Sequence, residues 1–128
     1  LRTVRSEAPR LIGNVAIEVA LPDAGTLRGS GILAGFENHG GRTHLGAGEQ
    51  PLGTVLHGHG HTGETGVEGV VRDHVIGTYL HGPLLPKNAW FADWLIATAL
   101  GIGELAPLDD TLEDAAHASA RRAAGLPG

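Results

Sequence analysis

Apolar and polar residues alternate along residues 12–21, which is the pattern of a β-strand with one buried face. The apolar face consists of Val15, Ile17 and Val19, and the opposite face of Asn14, Ala16 and Glu18. The segment Pro-Asp-Ala-Gly at 22–25 predicts a turn, and residues 30–38 predict a second strand. We therefore expect the two strands to pair as a hairpin.

The middle of the chain predicts shorter strands between loops. Residues 54–57 predict a strand that leads into a stretch rich in histidine and glycine. Residues 69–82 predict one or two strands, with Asp73 and His74 between them. Residues 38–53 have the composition of a loop, and residues 1–10 are polar.

Helical spacing begins after Asn88, a suitable N-cap residue that follows Pro86. Helical spacing is shown by Phe91, Trp94, Leu95 and Thr98. The other sides of the predicted helix carry Trp90, Ile96, Ala97 and Leu100. A helix that is apolar nearly all round is expected to be deeply buried.

Residues 109–125 predict a second helix. Asp110 and Glu113 have capping-box spacing, Arg121 and Arg122 complement the last turn, and Gly125 suits the position after the C-cap. Strands first and helices last predict, by pattern alone, an α+β fold.

Composition narrows the function. The 128 residues suffice for one domain with a core, and the formal net charge of -5 offers no broad basic surface for nucleic acid. No apolar run could span a membrane and no signal peptide is visible, so we expect a cytoplasmic protein. Without methionine, the chain is expected to be processed or part of something longer. Without cysteine, it contains no thiolate nucleophile or thiolate zinc site.

Three histidines, His57, His59 and His61, alternate with glycines. In an extended strand they would face one side, where they could bind a metal ion. A zinc site needs ligands on a rigid frame, and glycine spacers provide the opposite. The pattern therefore favours a solvent-exposed glycine turn.

His81 follows the apolar run 75–80 and precedes Pro83. A histidine at a strand end is presented to a cleft rim, where its ring can transfer protons. A turn histidine bonded to the backbone explains the pattern equally well. Arg10 is either solvated or able to bind a carboxylate.

Polar residues surround the glycine pair at 40–41: Glu37, Asn38, His39 and Arg42. Such a turn can offer backbone N–H groups to an anion. The favoured interpretation is a tight turn that carries polar side chains.

Four segments, in this order, resemble the CobB/CobQ-like class I glutamine amidotransferases, and among them the GatD type of glutaminase subunit. They are "GFENHGGRTHLG" (35–46), "EG" (68–69), "GTYLHGPLLPKN" (77–88) and "ADWLI" (92–96). The resemblance implies that residues 1–128 are the C-terminal portion of one amidotransferase domain. The implied fold is α/β, a flavodoxin- or Rossmann-like three-layer fold around a mostly parallel sheet.

The resemblance also implies a chemistry. In this family a cysteine attacks the side-chain amide of glutamine, a histidine is the general base, and ammonia passes to a synthetase. His81 matches the catalytic histidine, Arg10 matches an arginine that helps to recruit glutamine, and the "HGGR" turn matches a mainly structural block. No metal or cofactor is implied for this chain. The implied partner is a MurT-type, Mur-ligase-like subunit, which uses ATP and Mg²⁺ to activate the D-glutamate carboxylate of the lipid II stem peptide.

Two departures from the family stand out. The nucleophile belongs to an N-terminal half that this sequence lacks. The acid usually found two residues after the histidine is replaced by Pro83, so Glu37, Glu68 or a carboxylate of the partner is expected to orient His81. Two other functions stay open: the glutaminase domain of a cobyrinate or cobyric acid amidating synthase, and a non-catalytic, metal-binding module.

We predict that the complete protein hydrolyses glutamine and that purified residues 1–128 do not, because no thioester can form without a thiolate. An ammonia-release assay with glutamine checks this. Ammonia released by the 128-residue chain alone would contradict it.

Overall fold

The computed structural model describes residues 1–21 and 31–128, in which strands precede helices, as predicted. The strands are β1 Arg2–Arg5, β2 Leu11–Val19, β3 Ile32–His39, β4 Gly41–His44, β5 Gly53–His57, β6 Val67–Glu68, β7 Val70–Arg72 and β8 Val75–Gly77. The helices are α1 Ala89–Leu100 and α2 Thr111–Ala123. Within the described ranges, no helix has the length and apolar character needed to cross a membrane.

The largest sheet has the strand order β3-β2-β5-β6. The pairing of β2 with β3 confirms the predicted hairpin, although the turn predicted at 22–25 lies outside the described residues. β5 confirms the strand predicted at 54–57, and β7 pairs with β8 around Asp73 and His74, as predicted.

Every strand pair found in the described residues is antiparallel. The mostly parallel sheet that the resemblance implies is therefore not found in this part of the chain.

Besides the two-residue strand β6, the sequence pattern missed two strands, β1 and β4. They pair with each other, and the hydroxyl groups of Thr3 and Thr43 lie 2.8 Å apart across the pair. Thr43 also lies 2.8 Å from the hydroxyl of Tyr79. Both strands are polar and rich in arginine, so their stability comes from this distant pairing rather than from an apolar face.

The large sheet is covered on both faces. One face packs against α1 in the main core, whose members are Val15, Ile17, Leu21, Leu33, Leu52, Leu80, Trp90 and Phe91. On the other face, Ala16 and Ala34 are buried against Ala124, which follows α2. Ala16 was expected on the polar face of its strand, and its burial shows that α2 converts part of that face into core.

The end of α2 confirms the predicted role of Gly125. Its φ is +74°, and its N–H donates to the carbonyl of Arg122 at 2.9 Å. The N–H of Leu126 donates to the carbonyl of Arg121 at 3.0 Å. These two hydrogen bonds form a Schellman motif, which brings Leu126 against the small core around Ala124.

The deep burial expected for α1 is only half correct. Trp90, Phe91 and Ala97 are buried, whereas Ile96 is 48% exposed and Leu100 is 64% exposed. The helix lies against one sheet, so only one side is covered. Its other side presents apolar side chains at the surface of the described chain.

Asn88 precedes α1, as predicted, but its side chain does not cap the helix. The amide is fully buried and pairs with both backbone groups of Ala34, at 2.9 Å and 3.0 Å. It also donates to the carbonyl of Leu84 at 2.7 Å. Nδ1 of His117 on α2 lies 3.1 Å from the Asn88 Oδ1 atom. One amide thus joins β3, the segment before α1, and α2.

We predict that Asn88→Ala lowers the free energy of unfolding by about 2–4 kcal/mol, because it leaves buried backbone groups of Ala34 without partners. Urea unfolding monitored by circular dichroism measures the change. Asn14→Ala is the matched control, since that exposed side chain makes one bond, to the carbonyl of Ala123. Equal losses for the two variants would contradict the prediction.

Candidate functional site

His81 lies at the outer edge of β3. Its N–H donates to the carbonyl of Phe36 at 2.6 Å, and the two residues form an antiparallel bridge. Gly35 allows this approach, because a Cβ atom there would lie 3.1 Å from the carbonyl oxygen of His81. The backbone of His81 is therefore held by the sheet, while the residue is exposed.

Arg10 and His81 meet at one residue, Asn38, near the end of β3. The Arg10 Nε atom donates to the Asn38 side-chain oxygen at 2.9 Å, and Nη2 donates to the Asn38 carbonyl at 3.0 Å. The Nε2 atom of His81 lies 3.4 Å from the same carbonyl oxygen. Two residues 71 positions apart in the sequence thus share a single acceptor.

The shared acceptor determines which ring nitrogen of His81 carries the proton. A carbonyl oxygen can only accept, so Nε2 must be the donor. In a neutral ring, Nδ1 then holds the lone pair. The bond is long, so it orients the ring without holding it tightly. This arrangement gives His81 a nitrogen that can accept a proton.

Arg10 has hydrogen-bond donors that its contacts with Asn38 do not use. A guanidinium carries five N–H groups, and the two bonds to Asn38 occupy two of them. The side chain is exposed, and both bonds run to one residue, which fixes the plane of the group. An oriented guanidinium with free N–H groups is suited to a carboxylate ligand.

Glu68 supports the segment that leads to His81. Its buried carboxylate accepts the N–H of Tyr79 at 2.7 Å and the hydroxyl of Thr78 at 2.8 Å. Burial raises the pKa of Glu68, and the bonds from Tyr79 and Thr78 oppose that rise. The carboxylate therefore shapes the backbone before His81 and does not bond to its ring.

Glu37 is buried beneath the histidine-glycine stretch. One oxygen accepts both the N–H of His59, at 2.6 Å, and its ring Nδ1, at 2.8 Å. The other accepts the N–H of Gly60 at 3.1 Å. The expectation that Glu37 or Glu68 orients His81 is thus not met, because the hydrogen bonds of both acids run elsewhere. Among the described residues, the ring contact comes from Asn38 instead.

The three alternating histidines do not converge. His57 is exposed at the end of β5, His59 bonds to Glu37, and His61 is buried beside Thr65, 3.3 Å from its hydroxyl. Burial lowers the pKa of His61. The described chain contains no group of three or more potential ligand side chains placed to hold a metal ion. The predicted glycine turn is present, but it is only partly exposed to solvent.

The glycine pair at 40–41 has a structural role in this molecule. The ring of His39 stacks on Tyr79 with centroids 3.8 Å apart, and its Nδ1 lies 2.9 Å from the carbonyl of Gly41. Arg42 donates to the carbonyl of Pro9 at 2.8 Å, next to Arg10. The turn thus connects the segments that carry Arg10 and His81.

Comparison with known proteins shows the family of this chain. Residues 1–89 match the CobB/CobQ-like glutamine amidotransferase domain. The chain belongs to this family. The CobB/CobQ-like match includes Arg10, Asn38 and His81, and it ends where α1 begins.

Two curated relatives of this CobB/CobQ-like chain are GatD subunits of lipid II isoglutaminyl synthase (glutamine-hydrolyzing). The Staphylococcus aureus (strain N315) protein is 43% identical over 73% of this chain and 35% of its own length. The Streptococcus pneumoniae (strain ATCC BAA-255 / R6) protein is 50% identical over 52% of this chain and 25% of its own length. The chain thus matches about a third or less of the length of these relatives.

Sequence patterns identified Arg10 and His81, but not the residues that join them. Asn38 was noted only as part of a polar turn, and Tyr79 was not singled out. Local patterning gives neither residue a role, because the partners of each, Arg10 and His81 for Asn38 and His39 for Tyr79, lie far away in the chain.

We predict that Glu68→Gln becomes more stable relative to the wild-type protein as pH rises from about 4.5, the ordinary value of the group, to neutrality. A raised folded-state pKa means that the stability contributed by the neutral carboxyl is lost as pH rises through that pKa. Glutamine can accept and donate at the same positions without ionising. Urea unfolding of both proteins across this range measures the difference, and a constant difference would contradict the prediction.

Proposed function

We propose that this chain is part of a glutaminase subunit of a lipid II isoglutaminyl synthase. The subunit would hydrolyse glutamine to glutamate and ammonia. The family and the two GatD relatives support the reaction class. The observation that carries the proposal is the meeting of Arg10 and His81 at the carbonyl of Asn38. It combines an anchor for a carboxylate with a proton acceptor.

In the proposed reaction, His81 Nδ1 takes the proton of a cysteine thiol that lies outside these 128 residues. The thiolate attacks the side-chain carbonyl carbon of glutamine. The carbon–nitrogen bond then breaks, and His81 returns the proton to the leaving ammonia. Water then gives a proton to His81 and attacks the thioester. The carbon–sulfur bond breaks, glutamate is released, and His81 returns the proton to the thiolate. Arg10 binds the α-carboxylate of glutamine throughout.

The ammonia would be used by a synthetase partner. We propose a Mur-ligase-like subunit of the MurT type, which activates a D-glutamate carboxylate of the lipid II stem peptide with ATP and Mg²⁺. Both relatives are named as subunits of lipid II isoglutaminyl synthase, which supports an enzyme of more than one component. The same names favour this acceptor over a corrinoid. The separated histidines give no support to a metal-binding module.

We predict that His81→Ala, made in the complete subunit with its partner, lowers kcat for glutamine hydrolysis at least about 10²-fold, the usual contribution of a general base. Glutamate production measured over a range of glutamine concentrations gives kcat and KM separately. The loss should fall mainly on kcat, because the ring acts on the reacting atoms.

His57→Ala is the matched control, because His57 stands in the same Leu-His-Gly tripeptide and is exposed at a strand end. Its kcat should stay within about threefold of the wild-type value, a change small against general-base effects. A nearly normal rate for His81→Ala would remove His81 from the mechanism.

A further inference from the structure

We propose that Asn38 is the positioning residue for glutamine recognition, because its side chain aims the guanidinium of Arg10 at the substrate carboxylate. The inference rests on the proposed glutaminase function. Asn38 itself touches neither substrate nor nucleophile in this proposal; it acts through Arg10.

The geometry of Asn38 is specific to an amide or similar acceptor. Its side-chain oxygen accepts from Arg10 Nε, and its carbonyl oxygen accepts from Nη2. Two acceptors on one residue fix both the position and the plane of the guanidinium, as a bidentate carboxylate would. Asn38 adds no charge, so the full positive charge of Arg10 stays available to a ligand. A neutral acceptor therefore orients the cation without neutralising it.

The local backbone leaves room for this arrangement. A Cβ atom at Gly40 would lie 3.4 Å from Arg10 Nη1, in ordinary contact with it, so the glycine leaves the space beside the guanidinium open. The N–H groups of Nη1 are not engaged by Asn38, and Nη1 lies beside Gly40, which has no side chain. They supply the donors for an α-carboxylate.

The carbonyl of Asn38 also bonds the ring of His81. Arg10, the substrate anchor, and His81, the base, therefore both contact the carbonyl oxygen of Asn38. A substrate that is anchored by Arg10 is brought to a fixed distance from His81, as near-attack geometry requires. Removing the side chain of Asn38 leaves this carbonyl in place, so substitution separates its effect on Arg10 from its effect on His81.

The experiment is a double-mutant cycle of Asn38→Ala and Arg10→Ala in the complete subunit with its partner, assayed by glutamate production. Asn38→Ala should raise KM for glutamine about tenfold, the effect expected for one hydrogen bond to a charged group. The kcat value should change less than about threefold, because the carbonyl that contacts His81 is kept. In the Arg10→Ala background, the same substitution should change KM less than about twofold, since there is nothing left to position.

Two further variants sharpen the outcome. Asn38→Asp keeps an acceptor at the same place but places a negative charge against Arg10, so its KM for glutamine should stay above the wild-type value; a wild-type KM would show that the neutrality of the acceptor does not matter. Asn14→Ala removes an exposed asparagine bond on the neighbouring strand and should leave KM unchanged. Should Asn38→Ala fail to fold, Asn38→Ser provides the same test, because its oxygen lies one bond closer to the backbone.

The result distinguishes the two proposals. If Arg10→Ala raises KM and Asn38→Ala does not, the positioning role is wrong and the glutaminase function stands. If the effects of the two substitutions on KM add independently, Asn38 does not act through Arg10. If the wild-type complex does not hydrolyse glutamine, or Arg10→Ala leaves KM unchanged, the proposed function of the site fails instead.

Discussion

A buried amide, the side chain of Asn88, forms hydrogen bonds to three parts of the chain at once. It pairs with the backbone of Ala34 on β3, donates to the carbonyl of Leu84 in the segment that follows His81, and contacts His117 on α2. Both helices thereby take their places relative to the sheet. A buried backbone group without such a partner would be costly, so this amide cannot be replaced by an apolar side chain.

The candidate site depends on that same edge of β3. Ala34 is clamped by Asn88, Phe36 bridges His81, and Asn38 receives both Arg10 and the His81 ring. Ala34 thus binds the structural amide of Asn88, whereas Phe36 and Asn38 on the same strand hold the candidate site. The strand itself supplies backbone acceptors, so the sheet holds the backbone of the site although its side chains are exposed.

Two Leu-His-Gly tripeptides show how context decides chemistry. His57 ends a strand of the large sheet and is exposed, while His81 bridges the sheet edge and meets Arg10 through Asn38. His59 and His61 differ again: His59 bonds to Glu37, and the side chain of His61 is buried. The glycines between them allow the backbone to wrap the Glu37 carboxylate, and they do not present ligands to a metal.

The sequence by itself determined the order of elements, the β2–β3 hairpin, the helix boundaries near Asn88 and Gly125, and the candidates Arg10 and His81. These follow from local periodicity, from capping residues and from a specific motif, all of which act over short separations. Only the tertiary structure decided the pairing of β1 with β4, the burial of Ala16 by α2, the partners of Glu37 and Glu68, and the meeting of Arg10 and His81 at Asn38. Each of these rests on a contact between residues far apart in the chain, and the pattern of a single segment contains no information about the surface or backbone group it will meet.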